Sequence, residues 1–134
     1  MTERIKKQFE LVKKQADKAD KFFNDDELLP EALQNILILM ENCTNIIKDI
    51  FNNYPKKDHF ETNLVMKDLY RRKILKQDYS KYHKELKDYR AKSYFGEYSK
   101  TEKILPPRAS LMVYLKKGKE IFEETSKVFN EKVK

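Results

Sequence analysis

Only two glycines and four prolines interrupt this chain of 134 residues, which excludes a β-sandwich or a β-barrel, because those folds need a turn signal about every 8–12 residues. The composition, 40% hydrophobic and 38% charged with a net charge of +7, provides one core and a strongly polar exterior. We therefore expect a single all-α domain over residues 1–134, built as an up-and-down bundle of about five helices.

The longest apolar run, residues 36–40, is far shorter than the roughly 18 residues that a membrane span requires. The first residues are charged and polar and lack the apolar stretch of a secretion signal. The sequence therefore predicts a cytoplasmic protein with no membrane partner. Its single cysteine, Cys43, lies among apolar residues, so we expect it to pack in the core without forming a disulfide or a metal cluster.

The first predicted helix covers residues 2–24, with Thr2 as its N-cap. One stripe of apolar residues recurs at alternating spacings of four and three: Ile5, Phe9, Val12, Ala16, Ala19 and Phe23. The cluster Asn24-Asp25-Asp26 then breaks the pattern. Its carboxylates are expected to cap the next helix rather than to act in catalysis.

The second predicted helix has Pro30 in its first turn and ends near Tyr54. Its apolar residues exceed a single stripe, since Ile38, Leu39 and Ile46 lie outside the main one. A helix that is apolar on more than one side must be covered on more than one side. The pattern therefore predicts either a central helix or a helix that also meets a second subunit.

Three further helices are predicted in chain order. A third helix begins near Phe60 and runs towards residues 70–75, and a fourth runs from Tyr79 to a stop near Gly96. After a loop at residues 98–105 and the pair Pro106-Pro107, a last helix is expected to bury the following residues: Leu111, Leu115, Gly118, Phe122, Thr125 and Phe129.

Positive charge is concentrated in the second half of the chain. Residues 1–60 hold ten basic and eleven acidic side chains, whereas residues 61–134 hold nineteen basic and eleven acidic ones. Within residues 67–92 there are ten basic and four acidic side chains. Such a density of charge attracts phosphates or acidic partners, although lysine-rich helices are also often simple solvated faces.

The fourth helix carries the best candidate site. His83, Lys87, Arg90 and Tyr94 are spaced four, three and four residues apart, which predicts that they share one face. Arginine beside tyrosine suits contacts with phosphates and bases. The alternative is that the tyrosines of this region are core and rim aromatics and that Arg90 pairs with a nearby carboxylate.

The order of these elements resembles the HEPN family (higher eukaryotes and prokaryotes nucleotide-binding domain), particularly its small stand-alone prokaryotic members. The resemblance covers most of the chain: an alanine-containing first helix (residues 15–19), a long apolar second helix and a histidine after it in Asp58-His59-Phe60. The segment from Tyr89 to Gly96 is similar to the family's Arg-x-x-Ala-Asp-Tyr-Gly run. A closing helix rich in Lys, Glu and Phe follows.

The resemblance implies a helical bundle that forms a homodimer, with a polar groove near the dimer interface. It also implies binding of a nucleotide or RNA, with Arg90 on phosphate, Tyr94 orienting the phosphate or a base, and Lys87 and Lys92 adding positive field. Some family members pair with a small nucleotidyltransferase as toxin–antitoxin systems, so such an enzyme is an expected partner. No cofactor or metal is implied.

Family members that cleave RNA without a metal carry an arginine that is followed, after four to six intervening residues, by a histidine. Here Phe95, Gly96 and Glu97 occupy those places, and the general acid–base is missing from the motif. His59 and His83 are the remaining catalytic candidates. The sequence therefore favours a binding protein that is not an enzyme, with a metal-independent ribonuclease toxin and a non-catalytic dimerisation or interaction module as alternatives.

Overall fold

Five α-helices make up the computed structural model, which describes residues 2–24, 29–51, 62–95 and 107–133. For Thr2, Phe23, Leu29 and residues 90–95 it describes the backbone alone. The helices are α1 (Thr2–Phe23), α2 (Leu29–Phe51), α3 (Thr62–Arg71), α4 (Ser80–Phe95) and α5 (Arg108–Lys132). No strand occurs in these four ranges. The prediction of an all-α bundle of about five helices is therefore confirmed.

The long apolar helix α2 lies at the centre of the bundle and packs against each of the other four helices. Leu39 and Ile46, which lie outside its main stripe, are fully buried, as are Ile36 and Met40. Ile38, the third residue outside the main stripe, is only partly buried. The breadth of the apolar surface of α2 is thus explained in large part by helices of the same chain.

Contacts between helices define their directions. Arg4 at the start of α1 pairs with Asp49 at the end of α2, at 3.2 Å between Nη2 and Oδ2, so these two helices are antiparallel. Lys119 Nζ lies 2.5 Å from Asp20 Oδ1, so α5 also runs antiparallel to α1. Helix α4 runs antiparallel to α5, because Gln77, just before α4, meets Glu120 in the middle of α5, whereas Glu85 meets Tyr114 near the start of α5.

The predicted core positions of α1 and α5 are largely confirmed. Ile5, Phe9, Val12 and Ala19 of α1 are buried. So are the following residues of α5: Leu111, Leu115, Gly118, Thr125 and Phe129. Phe122, which was expected to be buried, remains partly exposed beside α1.

Cys43 packs in the core as predicted, with no exposed surface. Burial raises the pKa of its thiol to about 12, and a hydrogen bond with Thr125 of α5 partly opposes that rise. The thiol is therefore neutral at physiological pH, which fits a packing role and not a nucleophilic one.

One predicted boundary differs from the observed one, and three other predictions lie outside the described residues. Helix α3 ends at Arg71, before the stretch 72–75 that it was expected to enter. The capping role of Asp25 and Asp26, the end of the second helix near Tyr54 and the loop at 98–105 lie outside the described residues. No helix in the described part of the chain is long and apolar enough to span a membrane.

Candidate anion-binding surface

Eight basic side chains are exposed along α3, α4 and the turn between them. We call them the basic surface: Lys67, Arg71, Arg72, Lys73, Lys76, Lys81, Lys84 and Lys87. Only Arg72 forms an ion pair with another described residue, through its Nε at 3.0 Å from Asp68 Oδ2. The other seven form no ion pair with a described residue.

Three of the four acidic residues of this region are held by contacts within the protein. Asp68 pairs with Arg72, as above, and Asp78 Oδ1 accepts a hydrogen bond of 2.9 Å from the backbone N–H of Ser80, at the start of α4. Glu85 Oε2 accepts a hydrogen bond of 2.8 Å from the Tyr114 hydroxyl of α5. Asp88 is exposed. The positive charge of the region is therefore only partly compensated at its surface.

The α3–α4 turn begins with a left-handed residue that is not glycine. Lys73 has φ of 62°. Its N–H donates to the carbonyl of Tyr70 at 3.0 Å, and the N–H of Ile74 donates to that of Leu69 at 2.9 Å. This pair of bonds is the Schellman motif, in which glycine usually occupies the left-handed position. Lysine there ends α3 and places a cation at the corner of the bundle.

Replacing the left-handed residue by glycine is expected to stabilise the fold. Lys73→Gly removes the clash of a Cβ atom at positive φ and should raise the free energy of unfolding by about 1 kcal/mol. Lys84→Gly, at an exposed position inside α4, should lower it by about 1 kcal/mol. Urea unfolding measures both, and a destabilised Lys73→Gly protein would contradict this description of the turn.

Hydrogen bonds to α5 anchor the turn at its other end. The backbone N–H of Lys76 donates to Glu124 Oε1 at 2.5 Å, and the buried Tyr79 hydroxyl donates to the other oxygen of the same carboxylate. Burial and this hydrogen bond raise the pKa of Tyr79 above its usual value. A second bond, of 2.6 Å, joins Gln77 Nε2 to Glu120 Oε2. The cations on the turn are therefore presented from a fixed backbone.

Glu120 makes the anchoring of the turn sensitive to acid. Its burial raises the pKa, but hydrogen bonds from Gln77 and Lys117 outweigh burial and bring the pKa below the ordinary 4.5. A carboxyl with a lowered folded-state pKa stabilises the fold above its unfolded pKa, and this contribution is lost as the pH falls through the folded one.

We therefore expect Glu120→Gln to lose less stability than the parent protein when the pH falls from 6 to 3. Urea unfolding at a series of pH values measures this difference, and Glu123→Gln is the control because Glu123 is exposed on the same helix. Parallel stability curves for the parent and Glu120→Gln would contradict the expectation.

Of the residues proposed from the sequence to bind phosphate, Lys87 has an exposed side chain. Arg90, Lys92 and Tyr94 lie in the last turns of α4, but their side chains are outside the description. Arg90 continues the spacing of three residues set by Lys81, Lys84 and Lys87. The catalytic candidate His59 lies in a segment that is not described.

The other catalytic candidate, His83, does not share an exposed face with Lys87. Its side chain is 2% exposed and its Nε2 lies 3.2 Å from Glu41 Oε2 of the central helix. Its buried Nδ1 has no hydrogen-bond partner among the described residues. The spacing of four residues predicted that His83 and Lys87 share one face of α4. In the fold, the His83 side chain packs against α2, whereas the Lys87 side chain is exposed. His83 is therefore a core residue joining α2 and α4.

Sequence reasoning identified the charge of the region but not the residues at its corner. Arg71, Lys73 and Lys76 are among the ten basic side chains of residues 67–92, but no sequence pattern identified them as site residues. The run Arg71-Arg72-Lys73 is the sequence feature that could have indicated this corner. Whether its side chains are exposed, however, depends on where α3 ends.

A small polar concavity of about 370 Å³ lies between α4 and α5 and was not expected. Glu85, Asp88 and Tyr89 line it from α4, and Ser110 and Tyr114 from α5. Burial and the hydrogen bond with Glu85 raise the pKa of Tyr114 above its usual value. The carboxylates of Glu85 and Asp88 would repel a phosphate. We therefore do not count this concavity as part of the basic surface.

No group of three or more potential metal ligands occurs among the described histidine, cysteine, aspartate and glutamate side chains. A scan against protein-family models and searches of curated proteins and of solved structures gave no match to this chain. The likeness to the HEPN family thus depends on the residues themselves, and it enters the functional argument as a proposal.

Proposed function

We propose that this protein is a HEPN-like helical protein that binds a nucleotide or RNA through the basic surface and the last turns of α4. The observation that carries the proposal is the row of seven exposed cations without a described ion pair, presented by two helices and a fixed turn. Cations grouped on one surface attract phosphates through their summed field.

The proposal gives each residue on α4 a role. Lys84 and Lys87 contribute charge along the helix, Arg90 contacts a phosphate, Lys92 adds to the field, and Tyr94 orients the phosphate or a base. Arginine suits the phosphate contact because its planar group donates two parallel hydrogen bonds. The exposed Tyr70, at the end of α3, offers a further ring on which a base can stack.

The proposal extends to partners and location. It includes a cytoplasmic homodimer and pairing with a small nucleotidyltransferase in a toxin–antitoxin-type system. Both extensions are supported by the family resemblance alone. A gene for such an enzyme beside this one would support the pairing, and a monomer in sedimentation experiments would contradict the dimer.

A ribonuclease activity is less well supported than binding. His83 is buried against Glu41 and cannot reach a substrate without a rearrangement of the core. Incubating the pure protein with RNA in EDTA tests the activity directly. Sustained cleavage that is lost in His59→Ala would establish the ribonuclease and would overturn the binding-only proposal.

Binding of a fluorescent single-stranded RNA and of ATP tests the proposed site. The double variant Lys87→Gln/Arg90→Gln should bind RNA at least tenfold more weakly than the parent. The matched control, Lys116→Gln/Lys127→Gln, removes the same charge from exposed positions of α5 and should lose less than threefold. Equal losses in both variants, or no binding by the parent at micromolar concentrations, would contradict the proposal.

A further inference from the structure

A groove of about 630 Å³ runs between the antiparallel helices α1 and α5, on a different side of α5 from the α3–α4 turn. Its floor consists of three phenylalanine rings. Phe9 stacks on Phe129 with 4.1 Å between ring centroids, and Phe122 lies 6.1 Å from Phe9. Phe122 is partly exposed, so the groove presents aromatic surface that the described helices do not cover.

The two walls of the groove differ in character. Helix α1 contributes Lys6, Glu10 and Lys13, which are spaced as neighbours on one helical face. Helix α5 contributes the small polar residues Ser126 and Asn130. An apolar occupant would therefore contact rings at its centre and meet mostly cationic groups on the α1 side.

A second concavity, of about 420 Å³, adjoins the groove along α1, and Lys6 and Glu10 line both. It contains Leu11, whose surface is 60% exposed, between Lys7 and Lys14. The exposed leucine extends the apolar surface beyond the groove, and the two further lysines extend its cationic rim.

We propose that the α1–α5 groove binds an amphipathic helix of a partner protein whose polar flank is acidic. The argument is charge complementarity: four lysines and one glutamate border an apolar floor, and although Lys6 pairs with Glu3 at 3.8 Å, the rim keeps a net positive charge. A helix with apolar anchors and flanking carboxylates satisfies both surfaces. The α5 wall from Phe122 to Val133 is about 16 Å long at 1.5 Å per residue, which matches roughly three turns of a bound helix.

A second copy of this chain fits the groove less well. A two-fold contact would place the same face of both copies together, and the lysines of the two rims would then repel one another. The groove also lies away from the anchored turn. Glu120 and Glu124 contact the turn, whereas Phe122 and Ser126 line the groove, and residues two apart on a helix point in opposite directions. Binding of the partner helix and binding of RNA are therefore independent.

The test uses the full chain and three fluorescent 14-residue peptides. The first has leucines at positions 2, 5, 6, 9 and 13 with glutamates flanking them, the second has lysine in place of each glutamate, and the third has the composition of the first without helical periodicity. The parent protein should bind the first at least tenfold more tightly than either of the others. Binding should be unchanged by saturating single-stranded RNA.

Charge reversal on the rim provides the decisive comparison. The double variant Lys6→Glu/Lys13→Glu should prefer the lysine peptide by at least tenfold, because both positions are exposed and the charge of the rim is reversed. The variant also loses the exposed ion pair of Lys6 with Glu3, which contributes little to stability. The matched control, Lys116→Glu/Lys127→Glu, should keep the parent's preference. Circular dichroism confirms that each variant is folded.

Several results would overturn the proposal. These are failure of the first peptide to bind, equal binding of the non-periodic peptide, or an unchanged preference after rim reversal. Binding of the protein to anionic phosphatidylglycerol vesicles that is lost in Lys6→Glu/Lys13→Glu would assign the rim to a lipid surface instead. Self-association that is lost in the same variant would assign it to a second copy.

Discussion

Exchanging three cations of the corner in the triple variant Arg71→Gln/Lys73→Gly/Lys76→Gln is expected to weaken binding of single-stranded RNA about 100-fold at about 0.1 M salt. Each phosphate neutralised on a single strand contributes about 0.7 to the slope of log affinity against log salt. Three contacts therefore change the affinity by about two decades for each tenfold change in salt concentration. The three side chains are exposed and form no ion pair with a described residue, so nothing within the described fold competes for them.

A variant with the same change in net charge separates local contact from the general field. Lys7→Gln/Lys14→Gln/Lys18→Gln removes three exposed cations from α1, on the opposite flank of the central helix. It should lose less than fivefold in RNA affinity. Glycine at position 73 adopts the left-handed conformation of the turn without strain. Weaker binding by Arg71→Gln/Lys73→Gly/Lys76→Gln is therefore not caused by unfolding of the turn. Equal losses in the two triple variants would show that only overall charge matters.

Gly118→Val is expected to lower the free energy of unfolding by about 1–3 kcal/mol. Gly118 is buried where α5 crosses α2, and a Cβ atom there would lie 3.1 Å from Ile36 Cδ1 and 3.3 Å from its Cγ2. Valine adds two further methyl groups to this contact. The two helices must then separate, or Ile36 must leave its preferred rotamer, and either change disturbs the centre of the core.

Urea unfolding of Gly118→Val beside Lys116→Val measures this effect. Lys116 is exposed on the same helix, so valine there should change the free energy of unfolding by only a few tenths of a kcal/mol. Gly118→Ala should lie between the two, because alanine gains helix propensity but still approaches Ile36 closely. A Gly118→Val protein as stable as the parent would contradict the close crossing of α2 and α5.

The helices could be predicted from the sequence because their apolar residues recur with the period of a helix. The stripe from Ile5 to Ala19 in α1 shows this most clearly. The end of α3 could not be predicted in the same way. The expected stop signal is glycine, but here Lys73 adopts the left-handed conformation. Its N–H donates to the Tyr70 carbonyl and the N–H of Ile74 donates to the Leu69 carbonyl, which holds the turn.

The candidate site was only partly predictable because burial depends on residues distant in the chain. Lys87 and His83 are four residues apart on α4, and the helical period alone assigns them to one face. Glu41, forty-two residues before His83, lies opposite it in the folded chain and makes that side the interior. The bonds from Lys76 and Tyr79 to Glu124 likewise join segments that no local pattern connects.

The breadth of the apolar surface on α2 allowed two interpretations, a central helix or a helix that also meets a second subunit. Leu39 and Ile46 are buried by other helices of the same chain, and α2 packs against all four of them, so it is a central helix. Ile38 remains partly exposed.

The salt dependence of RNA binding by the parent protein tests the central claim most directly, namely that the basic surface neutralises phosphates. Affinity for a single-stranded RNA measured between about 50 and 300 mM salt should give a log–log slope of about −2 or steeper, as three or more contacts require. The slope of the corner variant Arg71→Gln/Lys73→Gly/Lys76→Gln should be shallower by about 2. A flat slope for the parent, or the same slope for both proteins, would contradict the claim.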